Sequence, residues 1–245
     1  MNHIGILWRR ELAAFLHSPA AYVTMTVVLV VTGAVFWGQA TMTRGEPARP
    51  DVLLFWPLTL WIMVIAVCAV VTMRLFAEEK RSGTFETLMT APVSEVDVVL
   101  AKFAAAFTVF AIVFAPTALY LPVLRRFSTG LEVIDMRPIA SGYAILLLVG
   151  AFYLSVGLFA SALSRSQIVA AITSFAALSL VFSAGLLTYL FPGHSGDLMD
   201  TVSAFKHIMD FARGAIDAGP VILYLSGTGL MLFATMKVVE ARRWV

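Results

Sequence analysis

Arg74, Glu78, Glu79, Lys80, Arg81 and Glu86 fall within thirteen consecutive residues of a chain that is only 13% charged. Charges at this spacing suit ion pairing and docking: Arg74 and Glu78 are i,i+4 neighbours on a helix, and Glu78 and Arg81 are i,i+3. Residue sets that would support catalysis are missing. No phosphate loop of the G-x-x-x-x-G-K-[ST] type exists, since the sequence contains no Gly-Lys pair, so the chain shows no sign of nucleotide hydrolysis. No His-Glu-x-x-His occurs, and His3, His17, His194 and His207 lack metal-ligand spacing. Gly193-His194-Ser195-Gly196 shares the Gly-x-Ser start of a nucleophile turn. The fifth position, however, is Asp197 instead of glycine, and the fragment follows Pro192 without a preceding strand. It reads as an ordinary turn.

These charges sit among elements made for lipid. Sixty per cent of the 245 residues are hydrophobic, against roughly 45–50% in soluble domains, and mean hydropathy is +0.90. A membrane-spanning helix needs about 20 mostly apolar residues. Six such runs are present, near 20–40, 53–73, 96–124, 139–163, 168–191 and 220–236. Acidic or basic residues inside them are confined to Asp97 and Lys102, near the start of the third. The runs do not alternate as barrel strands would, so backbone satisfaction in lipid makes them helices. The fold expected is all-α and integral to the membrane, one domain over residues 1–245. Ion-coupled carriers and proton relays need ionisable groups at depth, and their scarcity here points to an energy source outside the spans. The single cysteine, Cys68, can form no internal disulfide. A net charge of +2 gives no reason to expect nucleic acid as a partner.

An even number of spans puts both termini on one side. With the termini inside, the inner segments hold ten Lys and Arg and the outer ones seven, which favours cytoplasmic termini. The N-terminal segment, residues 1–19, reads as an interfacial helix with Ile4, Leu7, Trp8, Leu12 and Phe15 on one arc and His3, Arg10 and His17 opposite. Glu11 falls inside the apolar arc; it either reaches up to water or makes a fixed contact to a basic group on the protein or its partner. Pro116 is expected to kink the third span. Small residues four apart, Ala151 with Ser155, Gly157 with Ser161 and Ala170 with Ser174, suit a packed bundle. In the long outer segment 192–219, Leu198, Val202, Phe205, Met209, Ala212 and Ile216 recur at helical intervals. Short outer helices that dip back into the membrane, ending around Gly214, fit that pattern.

The charged loop itself, residues 74–95, can be parsed. Arg74 can continue the second span into the cytoplasm as a helix, which Gly83 can end, and Thr84 can cap a short second one. In that second helix Phe85, Leu88 and Met89 form one apolar face, and Pro92 breaks it. Ser94-Glu95-Val96-Asp97 fits a capping box before the third span. The apolar face suits either lipid or a groove on a cytoplasmic protein.

The stretch FAEEKRSGTFETLMTAPVSEVDVVLAKF resembles the loop between the second and third spans of ABC-2-type transporter permeases. The family's Glu-Glu-x-x-x-Gly-Thr-x-Glu-x-Leu-x-x-x-Pro-[VI]-[ST] run maps to Glu78, Glu79, Gly83, Thr84, Glu86, Leu88, Pro92, Val93 and Ser94. RRELAAFLHSPAAYV is similar to the family's N-terminal elbow helix, here Trp8, Arg9, Arg10 and Glu11. FARGAIDAGPVILYLSGTGLMLF, followed by Arg242-Arg243, resembles the end of the gliding-motility-associated branch. The resemblance implies a non-catalytic permease subunit with no cofactor or metal of its own. It implies that Glu78, Glu79, Arg81, Gly83, Thr84, Phe85, Glu86, Leu88, Met89 and Pro92 form a coupling helix region docking on two cytoplasmic ABC ATPase subunits, which hold ATP and Mg. A second permease copy would complete a homodimer, or a related chain a heterodimer. An extracytoplasmic auxiliary protein is a further expected partner, and a bacterial inner membrane the expected location. The cargo expected is an exported hydrophobic or amphipathic molecule. The rival readings are a subunit that passes force to an extracytoplasmic protein without transport, and a polytopic membrane enzyme using Ser195 or a histidine.

Overall fold

The computed structural model describes residues 3–42, 50–55, 57–84, 94–127, 136–190 and 203–241. Among them every regular element is helical. In chain order these are α1 (His3–Leu16), α2 (Pro19–Met42), α3 (Pro50–Phe55), α4 (Leu58–Thr72), α5 (Ala77–Ser82), α6 (Glu95–Phe114), a 3-10 segment (Ala115–Leu119), α7 (Tyr120–Phe127), α8 (Met136–Leu163), α9 (Gln167–Leu190), α10 (Ala204–Ala212) and α11 (Ala218–Ala241). Six stretches are long and apolar enough to cross a membrane: Pro19–Met42, Leu58–Ser82, Glu95–Val123, Met136–Leu163, Gln167–Leu186 and Ala218–Ala241. The chain is therefore an all-α, multi-pass membrane protein.

Helix α8 is the hub and packs on α4, α6, α9, α10 and α11. Its glycines explain how. A Cβ on Gly142 would lie 2.3 Å from the Phe55 ring, one on Gly150 2.4 Å from Phe110, and one on Gly157 2.2 Å from Thr72 Oγ1. Each glycine admits a neighbour's side chain to the α8 backbone. In lipid, where apolar burial alone does not draw helices together, such close packing is what holds a bundle. Trp61, Tyr153, Phe110, Phe114 and Leu158 fill the resulting core. On α2, α9 and α11, by contrast, Tyr22, Ile172 and Leu225 stand exposed, as suits faces solvated by lipid.

Three local features add detail to these expectations. The second apolar run is divided: α3 ends at Phe55, Pro57 is extended (φ −61°, ψ 121°), and the spanning helix starts at Leu58. Its break is tied by Trp61, whose indole N–H donates to the Phe55 carbonyl at 2.9 Å. The third run carries Pro116 inside the 3-10 segment, because proline offers no N–H to the α-helical ladder. Phe205, on α10, is buried at 4% exposure and meets Phe182 edge-on at 6.3 Å, so it belongs to the core.

α10 closes one end of the bundle. The Ser203 hydroxyl caps it, accepting from Lys206 N–H, and donates to the Gly185 carbonyl at 2.8 Å. From α8, the Ser141 hydroxyl donates to the Phe211 carbonyl at 2.6 Å. Gly214 ends the segment with φ +84°, a left-handed conformation that glycine adopts without a Cβ clash.

Candidate functional site: a buried ion cluster beneath the charged loop

At the other end of the bundle α1, α5 and α6 converge. Three sequence features place them. Ser94 caps α6 by accepting from Asp97 N–H at 3.1 Å, while the Asp97 carboxylate accepts from Ser94 N–H, a complete capping box. Gly83 ends α5 at φ +75°. The expected apolar arc of α1 packs along α6, with Phe15 buried and Leu7 and Leu12 against the core. The arc thus covers protein, and the Trp8 indole N–H donates to Thr108 on α6 at 3.2 Å.

Lys102 is the centre of the site. It lies two turns into α6, 2% exposed, with its ammonium 3.1 Å from Glu11 Oε1 and 2.8 Å from Glu79 Oε1. The Phe76 ring lies 5.3 Å from the same nitrogen, a favourable cation–π distance. Arg10 completes the arrangement, 3.0 Å from Glu11 and 3.7 Å from Glu79. Four charges of alternating sign, from three separate elements, form a closed neutral ring. Neutrality matters, because a buried charge is tolerated only when paired. Among the described residues Glu79 Oε2, which is buried, has no hydrogen-bond partner, and the ion pairs of the carboxylate run through Oε1.

A second set of contacts fixes the turn between α4 and α5. Arg74 donates to Ser18, at the hinge between α1 and α2, at 3.0 Å, and to Glu78 at 3.2 Å. Its guanidinium also sits 5.7 Å from the Phe15 ring centre. From α8, Ser161 accepts the N–H groups of Phe76 and Ala77, both at 3.2 Å. The Lys80 ammonium donates to the Ala162 carbonyl. Between α1, α5 and α6 lies a half-open cleft of about 600 Å³, charged along Arg10, Glu79 and Lys102 and apolar along Val71, Leu75 and Val109. No group of three His, Cys, Asp or Glu suited to a metal ion occurs among the described residues.

The expected site residues divide accordingly. Glu79, Arg10, Glu11 and Trp8 come together around α6. Glu78 pairs with Arg74 as the i,i+4 spacing implied, Gly83 terminates the helix, and Thr84 meets Ser82 at 2.8 Å between their hydroxyls. Arg9, Arg81 and Thr84 face outward. Phe85, Glu86, Leu88, Met89 and Pro92 lie outside the described residues, as does Ser195. Of the two readings of Glu11, the fixed contact to a basic group is the one observed. Lys102 and Ser161 carry the site; from sequence Lys102 had no role, and Ser161 only a packing role in the Gly157–Ser161 pair. Lys102 had a signal, being the one basic residue inside the six apolar runs, where an ionisable group calls for a named partner. The second span is also not followed by one continuous helix through Arg74: residues 73–76 form a turn before α5.

Compared with known families, the sequence matches the one described as ABC-2 family transporter protein, over residues 11–184. That range includes Glu11, Glu79 and Lys102 and stops short of the Phe211–Phe233 stretch on which the likeness to the gliding-motility branch rests. No curated protein matches the sequence.

Proposed function

The chain belongs to the ABC-2 family of transporter proteins, and from that premise we propose that it is a permease subunit driven by ATP hydrolysed on partner chains. Membership of the family implies ABC ATPase subunits as partners in general. In our reading two of them, carrying ATP and Mg, dock against Glu78–Pro92 from the cytoplasm, and two permease copies pair in a bacterial inner membrane. Cytoplasmic termini are supported by the excess of Lys and Arg on that side. An exported amphipathic molecule as cargo follows from the family resemblance alone.

The observation that carries the reading is the Glu79–Lys102–Glu11 cluster. It ties the charged loop to the N-terminal helix and to a spanning helix at one end of the bundle, where a push on the loop can be passed on as rigid-body motion. Leu88→Asp tests the docking role, because a charge driven into an apolar interface costs on the order of several kcal/mol unless paired. A pull-down of the ATPase by Leu88→Asp should fail. Ile216→Asp, at a position 72% exposed and distant in sequence from the loop, should keep it. Full retention of the ATPase by Leu88→Asp would remove the loop as the docking element.

A further inference from the structure

Helix α5 is anchored unevenly. On one side it is fixed to α8: Ser161 holds the N–H groups at its start, and Lys80 reaches the Ala162 carbonyl. Toward α1 and α6, its ion pairs among the described residues run through a single carboxylate, Glu79. α1 and α6 are joined to each other independently, by the apolar arc and by the Trp8–Thr108 hydrogen bond. α6 packs on α8 as well, and Arg74, in the turn before α5, reaches Ser18 and the Phe15 ring; ion pairs through Glu79 join α5 itself to the α1–α6 pair. Glu79 is the bridging group, and Lys102 is what faces it.

We propose that Lys102 is a positioning residue that latches α5 to α1 and α6, so that displacement of the charged loop moves the N-terminal helix and the third span together. This rests on the docking reading above but concerns a different link, inside the chain. Three features support a latch over a simple structural pair. The Lys102 ammonium is shared between carboxylates from two different elements, Glu11 and Glu79. Without its charge those carboxylates would be left with Arg10 alone, and Arg10 is 55% exposed and only 3.7 Å from Glu79 at best. The cleft lies beside the pair, between α1 and α5, so the ion pairs there are not backed by continuous apolar packing.

The latch can be read on the full-length chain in lipid nanodiscs, without the ATPase. Spin labels on Ala14→Cys in α1 and Ser82→Cys in α5, in a Cys68→Ser background, report the separation of the two helices. A second pair on exposed positions of α1 and α6 reports the α1–α6 packing. The wild-type background should give one narrow α1–α5 distance. K102M and E79Q should each lose it while leaving the α1–α6 distance unchanged, and K102R should restore it. E79Q guards against misfolding of the lysine variant, because it keeps the Lys102–Glu11 pair. A narrow, wild-type α1–α5 distance in both K102M and E79Q would overturn the proposal. So would a change in the α1–α6 distance as large as that between α1 and α5, since it would make the ions part of general packing. Retention of the ATPase by Leu88→Asp would sink the docking reading and leave these distances unaffected.

Discussion

The hydroxyl of Ser161, near the end of α8, donates to the carbonyl of Met73, 3.2 Å away, across the break between α4 and α5. The same oxygen accepts from Phe76 and Ala77. One side chain thus meets three backbone groups at the helix break, and it does so from a third element. Removing it takes a hydrogen-bond partner from buried backbone groups, a loss of roughly 1–3 kcal/mol where no other partner replaces it. Ser161→Ala should lower the thermal unfolding midpoint in detergent, and exchange of the Phe76 and Ala77 amides with deuterium should quicken before that of the rest of α4.

The glycines give a paired prediction. Gly157→Ala puts a methyl 2.2 Å from Thr72 Oγ1, which is itself fully buried. Overpacking of this kind costs about 1–3 kcal/mol. Gly229→Ala, on α11, meets nothing within 4 Å and should be neutral or slightly stabilising, since alanine is the better helix former by about 1 kcal/mol. Melting temperatures of the two variants, side by side, check both.

Glu79→Lys should be worse than Glu79→Gln. The lysine would face Lys102, 2% exposed, and Arg10, with Glu11 as the remaining counter-charge. Breaking a buried pair typically costs about 3–5 kcal/mol, and a like charge adds to it. The expected result is a lower unfolding midpoint and loss of permease-dependent modulation of ATPase rate in the reconstituted complex. Glu79→Gln should reduce the modulation with a smaller change in midpoint. Equal behaviour of the two variants would show that charge at this position is unimportant.

His207 sets a pH dependence at the opposite end. It is 8% exposed on α10, with its Nδ1 3.2 Å from the Tyr224 hydroxyl of α11. Burial holds the imidazole below its ordinary value of 6.5; Asp210 and Asp217 push it back up, and Lys206 adds to the lowering. The folded protein therefore prefers the neutral ring. Its stability contribution is complete above pH 6.5 and is lost as pH falls toward the depressed folded value, because the unfolded chain takes up the proton first. The unfolding midpoint should drop between about pH 7 and about pH 5 more in the native chain than in His207→Gln. Identical pH profiles would exclude His207 as the source.

Spans and caps were legible in the sequence because they are local. Twenty apolar residues in lipid must satisfy their own backbone, and only a helix does so. Ser94 and Asp97 stand three apart and can cap α6 with no help from elsewhere. Gly83 ends α5 because the left-handed turn asks for a residue without a Cβ. The Arg74–Glu78 pair follows from helical pitch. The oddity of Glu11, a carboxylate on an apolar arc, was also visible, but its partner was not. Lys102 is 91 positions away from it along the chain, and no spacing rule relates residues on different helices. The same holds for Ser161 and the turn at Met73, and for Phe205, whose helical spacing marked an amphipathic segment without saying that α9 would cover it. Local geometry is set by neighbours in sequence. Charge neutrality at a buried site is set by whichever elements the packing of α8 and α6 brings together, and only the assembled bundle decides that.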